Sequence, residues 1–351
     1  MFHPLQVTAV DRLTDDAVAV TFAVPEELRT AYRYDPGQHI ALRRTGEDGT
    51  EIRRTYSLCA PASEAPASLR IGVRGVEGGS FSTYALHELA VGDSVEVLPP
   101  TGRFTLPPRT GYFVGIVGGS GITPVLSIVG TLLEREPDAR FCLVRSDRSA
   151  ASTMFLEELA DLKDRFPDRL QLVHAFSREE QASGLASGRL DTERLADLLP
   201  RLVPVDHVDG WFLCGPLGLV EGATKALHDL AVPRTRVHQE IFHADESAAP
   251  PASSRPPAPD SAKVTATLDG RSGSWPMESG ESVLETVLRN RADAPYACKG
   301  GVCGTCRVRL LSGEVRMDRN YALEPEEVEA GYVLACQSHP TTSEVEVDFD
   351  A

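Results

Sequence analysis

The sequence has no run of eighteen or more apolar residues, so it lacks the roughly 20-residue stretch that a membrane-spanning helix needs. It also lacks an excess of positive charge, because 35 Lys and Arg residues stand against 51 Asp and Glu residues, for a net charge of -16. Nucleic-acid binding depends on Lys and Arg contacts to phosphates. These absences predict a protein that neither spans a membrane nor binds nucleic acid. The acidity either aids solubility or steers a basic partner protein.

Several metal-binding patterns are missing as well. The chain has a single Cys-x-x-Cys pair, whereas structural zinc sites commonly use two. Its one Glu-x-x-His, from Glu240 to His243, lacks the second copy that a di-iron carboxylate site requires. No Cys-x-His pair of the Rieske kind and no haem-attachment motif occurs. A zinc domain, a di-iron site, a Rieske centre and a haem are therefore not expected.

Disulfides are not expected either. Seven cysteines are an odd number for a chain held by disulfides, and residues 1–4 open the chain without a charged and apolar leader. We therefore expect free thiols and a cytoplasmic location. Cys59 and Cys142 are expected to be ordinary buried cysteines.

Four cysteines near the end of the chain do form a pattern. Four residues separate Cys298 from Cys303, two separate Cys303 from Cys306, and Cys336 follows after a longer interval. This is the spacing of plant-type [2Fe-2S] centres, in which four thiolates hold two irons. Glycines interleave these cysteines, at Gly300, Gly301 and Gly304. Glycine lets the backbone turn tightly and aim N–H groups at the sulfurs.

The chain divides into several domains. Its 351 residues, 42% of them hydrophobic, suffice for two or three cores. A stretch rich in Pro, Ser and Ala, residues 246–261, is typical of a linker. We therefore predict domains at 1–107, 108–245 and 262–351.

The rhythm of strands and helices differs among the three domains. The first has short strands broken by turn residues and one short helix at 82–89, which predicts an antiparallel β-barrel. The second alternates strands with amphipathic helices, which predicts an open parallel α/β sheet. The third combines a hairpin, a helix at 282–291 and a final alternating strand, which predicts a small α+β domain. The predicted strands are 6–10, 18–24, 39–42, 55–58, 69–73 and 94–98; then 112–117, 141–145, 170–175, 211–214 and 236–241; then 263–268, 271–276 and 345–349.

One candidate site lies on a barrel strand, at Arg54, Thr55, Tyr56 and Ser57. Alternate side chains of a strand share a face, so Arg54 and Tyr56 point the same way. A cation suits a diphosphate and an aromatic ring suits a flat ring system, which makes the pair a candidate flavin contact. An ordinary amphipathic strand face is the alternative.

A second candidate is the start of the short helix, at Gly79, Ser80, Phe81 and Ser82. Free N–H groups and the helix dipole favour a diphosphate at such a position. The alternative is an ordinary helix cap formed by Ser80 or Ser82.

A third candidate is the edge of the α/β sheet. Residues 118–124, Gly-Gly-Ser-Gly-Ile-Thr-Pro, follow an apolar strand and open a helix, with Pro124 in its first turn. They do not form the G-x-G-x-x-G motif, but the carboxyl edge of an open sheet is where ligands bind. Cys214, Gly215 and Pro216 end a later strand at the same edge. The thiol could lie near a nicotinamide or simply be buried.

Three more polar residues follow strands of this sheet. Arg148, Ser177 and Arg178 could hold an extra phosphate on an adenosine ribose, or they could be solvated. Phe242 could cover a flat ring or belong to the core.

Taken together, residues 54–57, 79–82, 100–104, 118–124 and 214–216 resemble the ferredoxin-NADP reductase superfamily, and the cysteine domain resembles a plant-type ferredoxin of the β-grasp fold. The order of the domains is similar to that of the reductase components of multicomponent oxygenases. Within that group, residues 313–323 and 331–338 most resemble the reductase of phenylacetyl-CoA epoxidase. Reductases of ketosteroid hydroxylases and fatty-acyl desaturases share the architecture.

The resemblance implies cofactors and roles. It implies FAD, NADPH and a [2Fe-2S] cluster, with NADH still possible because a Lys and a Tyr of the plant-type phosphate clamp are not evident. Ser57, Thr123 and Cys214 would be the catalytic positions, close to the flavin and the nicotinamide. The cofactor-binding positions implied are Arg54, Thr55, Tyr56, Ser57, Gly79, Ser80, Phe81, Ser82, Gly119, Thr123, Arg148, Ser177, Arg178, Cys214, Gly215, Pro216 and Phe242. The metal ligands implied are Cys298, Cys303, Cys306 and Cys336.

The implied activity is an electron relay. A hydride carries two electrons and a [2Fe-2S] centre accepts one, so a flavin between NAD(P)H and the cluster resolves the mismatch. The electrons would pass to a separate oxygenase component, since this chain lacks oxygen-activating metal motifs. A redox sensor without turnover and an FMN-using reductase of the same domain order are the alternatives.

Overall fold

The computed structural model describes residues 1–46, 49, 51–179, 188–243 and 262–351. It consists of two compact units, Met1–His243 and Ala244–Ala351. The predicted linker at 246–261 lies outside the described residues. No helix among the described residues is long and apolar enough to cross a membrane.

The first part of the first unit is an antiparallel barrel. Its strands are β1 His3–Thr14, β2 Ala17–Ala23, β3 His39–Thr45, β4 Glu51–Ser57, β5 Ser68–Arg74 and β6 Ser94–Val97, in the sheet order β4-β3-β6-β1-β2-β5. An antiparallel bridge between Leu58 and Ile71 links the two ends of this sheet. Inward-facing apolar side chains such as Phe22 and Ile40 are fully buried. The alternation of apolar and polar residues that predicted the barrel thus places the apolar side chains in its core.

A short helix, α1 Ser80–His87, follows β5. It begins earlier than the predicted residue 82, because Gly79 is the extended residue before the first turn. Phe81 and Ala85 of this helix are buried in the barrel core. Packing of this face therefore fixes where the helix begins relative to the barrel.

The rest of the first unit is a parallel α/β sheet. Its elements are β7 Tyr112–Gly118, α2 Ile122–Arg135, β8 Arg140–Asp147, α3 Leu156–Arg165, β9 Leu170–Phe176, α4 Thr192–Leu202, β10 Gly210–Pro216, α5 Leu217–Asp229 and β11 Val237–His243. The order is β11-β10-β7-β8-β9, with all neighbours parallel. The chain starts at central β7, builds outward through β8 and β9, and then returns to the other side with β10. The switch point between β7 and β10 is where open sheets of this kind bind ligands.

The second unit is a small α+β domain. Its elements are β12 Lys263–Leu268, β13 Arg271–Pro276, α6 Val283–Asn290, β14 Arg307–Ser312, β15 Val315–Met317, α7 Pro325–Glu329, β16 Tyr332–Leu334, β17 Ser338–Pro340 and β18 Glu344–Asp348. Five strands form a sheet in the order β13-β12-β18-β14-β16, and β15 pairs with β17. Ser282 caps α6 in a capping box with Glu285, an arrangement worth about 1 kcal/mol. The predicted class of barrel, parallel sheet and α+β domain is confirmed.

Candidate functional site

The switch point is built by close contact between two backbones. A Cβ atom on Gly121 would lie 2.3 Å from the carbonyl oxygen of Cys214. Gly215 has a φ of +146°, and a Cβ there would lie 2.9 Å from the carbonyl oxygen of Gly118. Only glycine permits this approach, which brings residues 118–121 and 214–215 together at the carboxyl edge of the sheet, as predicted.

Thr123 joins this edge to the barrel. Its hydroxyl donates to the carbonyl of Ser120 at 3.0 Å, and its side chain is buried. A Cβ on Gly72 of β5 would lie 2.8 Å from the Thr123 methyl group. The first turn of α2 therefore packs directly against β5 of the barrel, and Thr123 makes that contact.

The barrel and the α/β sheet also meet around a buried carboxyl group, Glu240. The Ser57 hydroxyl is 3.4 Å from Glu240 Oε2, and His39 Nδ1 is 3.8 Å from Glu240 Oε1. Strand pairing explains the convergence, because His39 lies opposite Ser57 in the barrel and Glu240 lies opposite Cys214 in the sheet. His39, Ser57 and Glu240 thus form one cluster, and Cys214 lies next to Glu240 on the neighbouring strand.

Burial controls the ionisation of this cluster. Burial raises the pKa of Glu240 to about 8, although the hydrogen bond with Ser57 opposes the shift. Burial also lowers the pKa of His39 to about 4 and raises the pKa of Cys214 well above its usual range. At neutral pH the cluster is therefore a carboxylic acid, a neutral imidazole and a thiol. Such a cluster holds protons without carrying a net charge.

The predicted flavin-contact face lies on β4. The Tyr56 ring packs against the ring of Phe81, with 5.4 Å between centroids. Arg54 is exposed and donates to the carbonyl of Arg53 at 2.7 Å, whereas the Arg53 guanidinium is buried and paired with Glu51. Of the two neighbouring arginines, Arg54 is the one whose charge faces solvent and can meet a phosphate. Thr55, between Arg54 and Tyr56, is half-buried.

The start of α1 suits an anion. Gly79 precedes the helix without a side-chain cap, and Ser80 is exposed. The Ser82 hydroxyl accepts from the N–H of Val76 and donates to the carbonyl of Gly79, both at 3.1 Å. Ser82 therefore orders the preceding loop, while the first-turn N–H groups have no partner within the helix. A phosphate is well matched to such groups.

The residues predicted to hold a ribose phosphate lie beyond β8 and β9. Ser177 and Arg178 have exposed side chains, and their backbone N–H groups donate to Asp147 and Arg148. Arg148 itself forms an ion pair with Asp16 of the barrel at 2.7 Å. The loops after β8 and β9 are therefore joined, but Arg148 is already engaged.

Three further predicted residues lie near the carboxyl edge of the sheet. Phe242 is half-buried and packs against the core that contains Cys214 and Phe212. Gly119 has a φ of +55°, and Pro216 is the residue that precedes α5. These positions surround the switch point, with Phe242 on the strand that carries Glu240.

Four thiols converge in the second unit. The four thiols lie close enough to shift one another's pKa values: Cys303 lowers the pKa of Cys298, and Cys306 lowers that of Cys336. Charge on Cys303 raises the pKa of Cys306, and charge on Cys298 raises that of Cys336. Within the described residues, no group of three or more His, Cys, Asp or Glu side chains could hold a single metal ion. Two thiol pairs instead match two irons with two thiolates each, which is the donor set of a [2Fe-2S] cluster.

Backbone donors around this site favour thiolates. The N–H of Gly300 lies 3.3 Å from Cys298 Sγ. The hydrogen bond from Cys303 lowers the pKa of Cys298 to about 6, helped by the N–H groups of Gly300 and Val302 and opposed by burial. Thiolate is the form that binds iron. Burial and the neighbouring thiols raise the pKa of Cys303 and Cys306 well above its usual range, so within the loop the favoured thiolate is that of Cys298.

The glycines of this loop act in two ways. Gly301 and Gly304 have positive φ angles of +78° and +67°, whereas Gly300 does not and instead directs its N–H at Cys298 Sγ. The left-handed residue beside it is Lys299, at +52°. Cys59 and Cys142 are free and buried, as predicted.

Sequence reasoning missed the roles of Glu240 and His39. The sequence presents Glu240 only as part of a Glu-x-x-His motif, and its partner Ser57 lies 183 residues away. A usable signal was its place on the predicted last strand of the sheet, next to the strand of Cys214.

Three family models cover most of the chain. They are an oxidoreductase FAD-binding domain at residues 4–106, an oxidoreductase NAD-binding domain at 116–225, and a 2Fe-2S iron-sulfur cluster binding domain at 266–341. Their order along the chain is the order of the barrel, the parallel sheet and the cysteine domain.

Known proteins match over the full length. One of the subunits of 1,2-phenylacetyl-CoA epoxidase from Escherichia coli (strain K12) is 44% identical, with 100% of this chain and 98% of that protein covered. The ferredoxin reductase component of 3-ketosteroid-9-alpha-monooxygenase from Rhodococcus rhodochrous is 35% identical, with 98% and 96% covered. Among solved structures, phthalate dioxygenase reductase has the same fold, with a TM-score of 0.62, 23% identity and 99% and 98% of the chains covered. The chain therefore belongs to the ferredoxin-NADP reductase superfamily, in the group of oxygenase reductase components that combine FAD-binding, NAD-binding and C-terminal [2Fe-2S] domains.

Proposed function

We propose that this chain supplies electrons from NADPH to a phenylacetyl-CoA epoxidase. The observation that carries the proposal is the full-length identity of 44% to a component of such an enzyme, against 35% to a ketosteroid monooxygenase reductase. The resemblance of residues 313–323 and 331–338 to the same group, around the last cluster cysteine, adds to it. A reductase for a ketosteroid monooxygenase is the second candidate.

The barrel residues would bind FAD. Arg54 would pair with the diphosphate, and the backbone N–H groups of Phe81 and Ser82 would donate to it. Tyr56, supported by the ring of Phe81 at 5.4 Å, would pack beside the isoalloxazine ring. The exposed guanidinium and the first-turn N–H groups, which have no acceptor within an α-helix, support this assignment.

The neutral cluster would lie at the reacting edge of the flavin. Bound FAD accepts the electron pair of a hydride and releases electrons singly, and a [2Fe-2S] cluster carries one electron at a time. Ser57 would donate to the flavin while Glu240, 3.4 Å from its hydroxyl, holds a proton behind it. Thr123 and Cys214 would flank the nicotinamide, and Phe242 would exclude water from the ring.

The nucleotide is proposed to be NADPH. Ser177 and Arg178 are exposed beyond the carboxyl end of β9, where a guanidinium and a hydroxyl suit the additional 2'-phosphate. Arg148 would contribute less, because it is paired with Asp16.

The four cysteines would hold the cluster in a reducing compartment. Cys298 and Cys303 would bind one iron, and Cys306 and Cys336 the other, following the two thiol pairs. Because the ligands must stay reduced, we propose the cytoplasm as the location.

Reconstitution tests the choice of oxygenase. The purified chain is combined with the Escherichia coli phenylacetyl-CoA epoxidase from which its own 44% identical component has been omitted. The consumption of phenylacetyl-CoA is then followed with NADPH and with NADH. We expect substrate turnover that depends on this chain and is faster with NADPH. Turnover of a ketosteroid by the corresponding oxygenase, without any turnover of phenylacetyl-CoA, would instead establish the second candidate.

A further inference from the structure

The side chain of Gln337 connects the two parts of the cluster site. Its amide nitrogen donates to the carbonyl of Lys299 at 2.8 Å and to the carbonyl of Cys336 at 3.2 Å. The same nitrogen lies 3.6 Å from Cys336 Sγ, within hydrogen-bonding range of sulfur. One N–H of the amide can therefore donate to the carbonyl of Lys299, while the other is shared between the carbonyl oxygen and Sγ of Cys336.

Local packing fixes the direction of this amide. The Gln337 backbone N–H donates to Leu334 at 2.9 Å, and its carbonyl accepts from the N–H of Asp318, also at 2.9 Å. A Cβ on Gly301 would lie 3.2 Å from Gln337 Cγ, so the stem of the side chain rests on the cysteine loop. An amide held at its backbone and along its stem is pre-organised to donate toward sulfur.

The bond to Lys299 has a separate consequence. Lys299 has a φ of +52°, in the left-handed region that costs a non-glycine residue energy. Its carbonyl is held by an amide from the segment that carries the fourth cysteine. Gln337 therefore stabilises the strained turn of the loop that carries the first three cysteines.

We propose that Gln337 is a positioning residue that raises the reduction potential of the [2Fe-2S] cluster by donating to Cys336 Sγ. Reduction adds negative charge to the cluster and its thiolates, and a hydrogen bond to a ligand sulfur stabilises that charge. The backbone N–H groups of the loop act on Cys298, whereas Gln337 acts on the ligand supplied from elsewhere in the chain. The inference concerns the cluster alone and does not depend on the choice of oxygenase.

The test measures the potential directly. Gln337→Glu keeps the length of the side chain but removes both N–H donors and adds a charge, and Gln337→Met removes the donors without adding charge. The cluster-loaded full chain is titrated with dithionite while the signal of the reduced cluster is followed by electron paramagnetic resonance. We expect both potentials to fall, with Gln337→Glu changing the ratio of reduced to oxidised cluster about tenfold at a fixed potential, or ~59 mV.

Asn320→Asp is the matched control. Asn320 lies on the segment that packs on the cysteine loop, where the N–H of Tyr321 donates to Gly301, but its amide donates to the carbonyl of Leu323 and not to a cysteine. The control makes the same amide-to-carboxylate change, so its potential should move much less than that of Gln337→Glu.

The outcomes separate tuning from a general effect. Unchanged potentials in both Gln337 variants, or an equal fall in Asn320→Asp, would overturn the proposal. Failure of both Gln337 variants to hold any cluster while the control holds one would also overturn it, in favour of a purely structural role. Faster loss of the cluster to a chelator, together with a lowered potential, would support both the tuning and the stabilisation of Lys299. No nucleotide or oxygenase enters these measurements.

Discussion

The two functional sites of this protein are assembled in different ways. The proposed flavin and nucleotide site takes His39 and Ser57 from the barrel and Cys214 and Glu240 from the parallel sheet, so it forms only when both are folded. The cysteine site is mostly one loop, residues 298–306, with Cys336 added from the segment just before β17. The first site is therefore a product of tertiary packing, whereas the second is largely local.

The sites also differ in how they manage charge. Around Glu240, burial keeps ionisable groups neutral, raising the pKa of the acid to about 8 and lowering that of His39 to about 4. At the cysteine site, the neighbouring thiol of Cys303 and backbone N–H groups lower the pKa of Cys298 despite burial, and Cys306 lowers that of Cys336, while the pKa values of Cys303 and Cys306 are raised. A site that binds iron needs thiolates, whereas a site that receives a hydride's electron pair benefits from the absence of fixed negative charge.

Removing one ligand should separate the two sites most clearly. In Cys303→Ser, the cluster is not retained, so reduction of cytochrome c by NADPH should fall by more than about a hundredfold, since even second-shell changes at metal sites cost about 10- to 100-fold. Reduction of ferricyanide, which accepts electrons from the flavin, should remain largely intact. Both rates are measured by absorbance on the same preparation.

Cys142→Ala is the control for this experiment. Cys142 is buried on β8, outside both sites, and its loss should leave the ratio of the two activities unchanged. Equal loss of both activities in Cys303→Ser would show that the sites do not act in sequence.

Removing the exposed cation from β4 should affect the first site alone. Arg54→Ala deletes a charge-assisted hydrogen bond to the flavin diphosphate, worth about 1.5–3 kcal/mol, so the Kd for FAD should rise about 10- to 100-fold. Fluorescence titration of the flavin-free protein measures this, and the cluster absorbance should not change. Arg33→Ala, which removes an exposed arginine paired with Glu64, should leave the Kd as it is. A similar loss in both variants would contradict the role of Arg54.

The same contrast explains what could be read from the sequence. The cysteine domain could be predicted from spacing, because three of the proposed ligands lie within nine residues of one loop, and a 2Fe-2S cluster binding domain matches residues 266–341. The barrel and the parallel sheet were evident from hydrophobic periodicity, and the edge formed by Gly118 and Cys214 followed from the rule that parallel strands share a carboxyl edge.

What escaped was the part of the site that depends on packing between the barrel and the sheet. The hydrophobic periodicity of β3 and β11 does not indicate that His39 and Glu240 are in contact. That contact depends on how the barrel packs against the parallel sheet. The left-handed conformation of Lys299 was not predicted either, because lysine is a residue type that rarely adopts a positive φ.

Substituting the buried acid should sharpen the electrostatic difference between the sites. Above pH 8, Glu240 ionises, and its charge beside the flavin should slow reduction by NADPH about tenfold, since ~1.4 kcal/mol of repulsion gives that factor. Glu240→Gln cannot ionise, so its rate should lose this decline as the pH rises through the pKa of the acid. Stopped-flow bleaching of the flavin measures the rate. In Glu134→Gln, a surface control from α2, the decline should persist, and its persistence in Glu240→Gln would assign it to another group.

The smallest expected effect concerns the nucleotide phosphate, at the exposed rim of the first site. Arg178→Ala should lower kcat/KM for NADPH about fivefold and leave that for NADH unchanged, because an exposed charge contact is screened by water and salt. Arg148→Ala should do less, since its guanidinium is already paired with Asp16 at 2.7 Å. Initial rates of ferricyanide reduction with both nucleotides give the ratio without involving the cluster. If Arg148→Ala proved the more damaging change for NADPH, the ion pair with Asp16 would have to open on binding, and the phosphate would lie nearer β8 than β9.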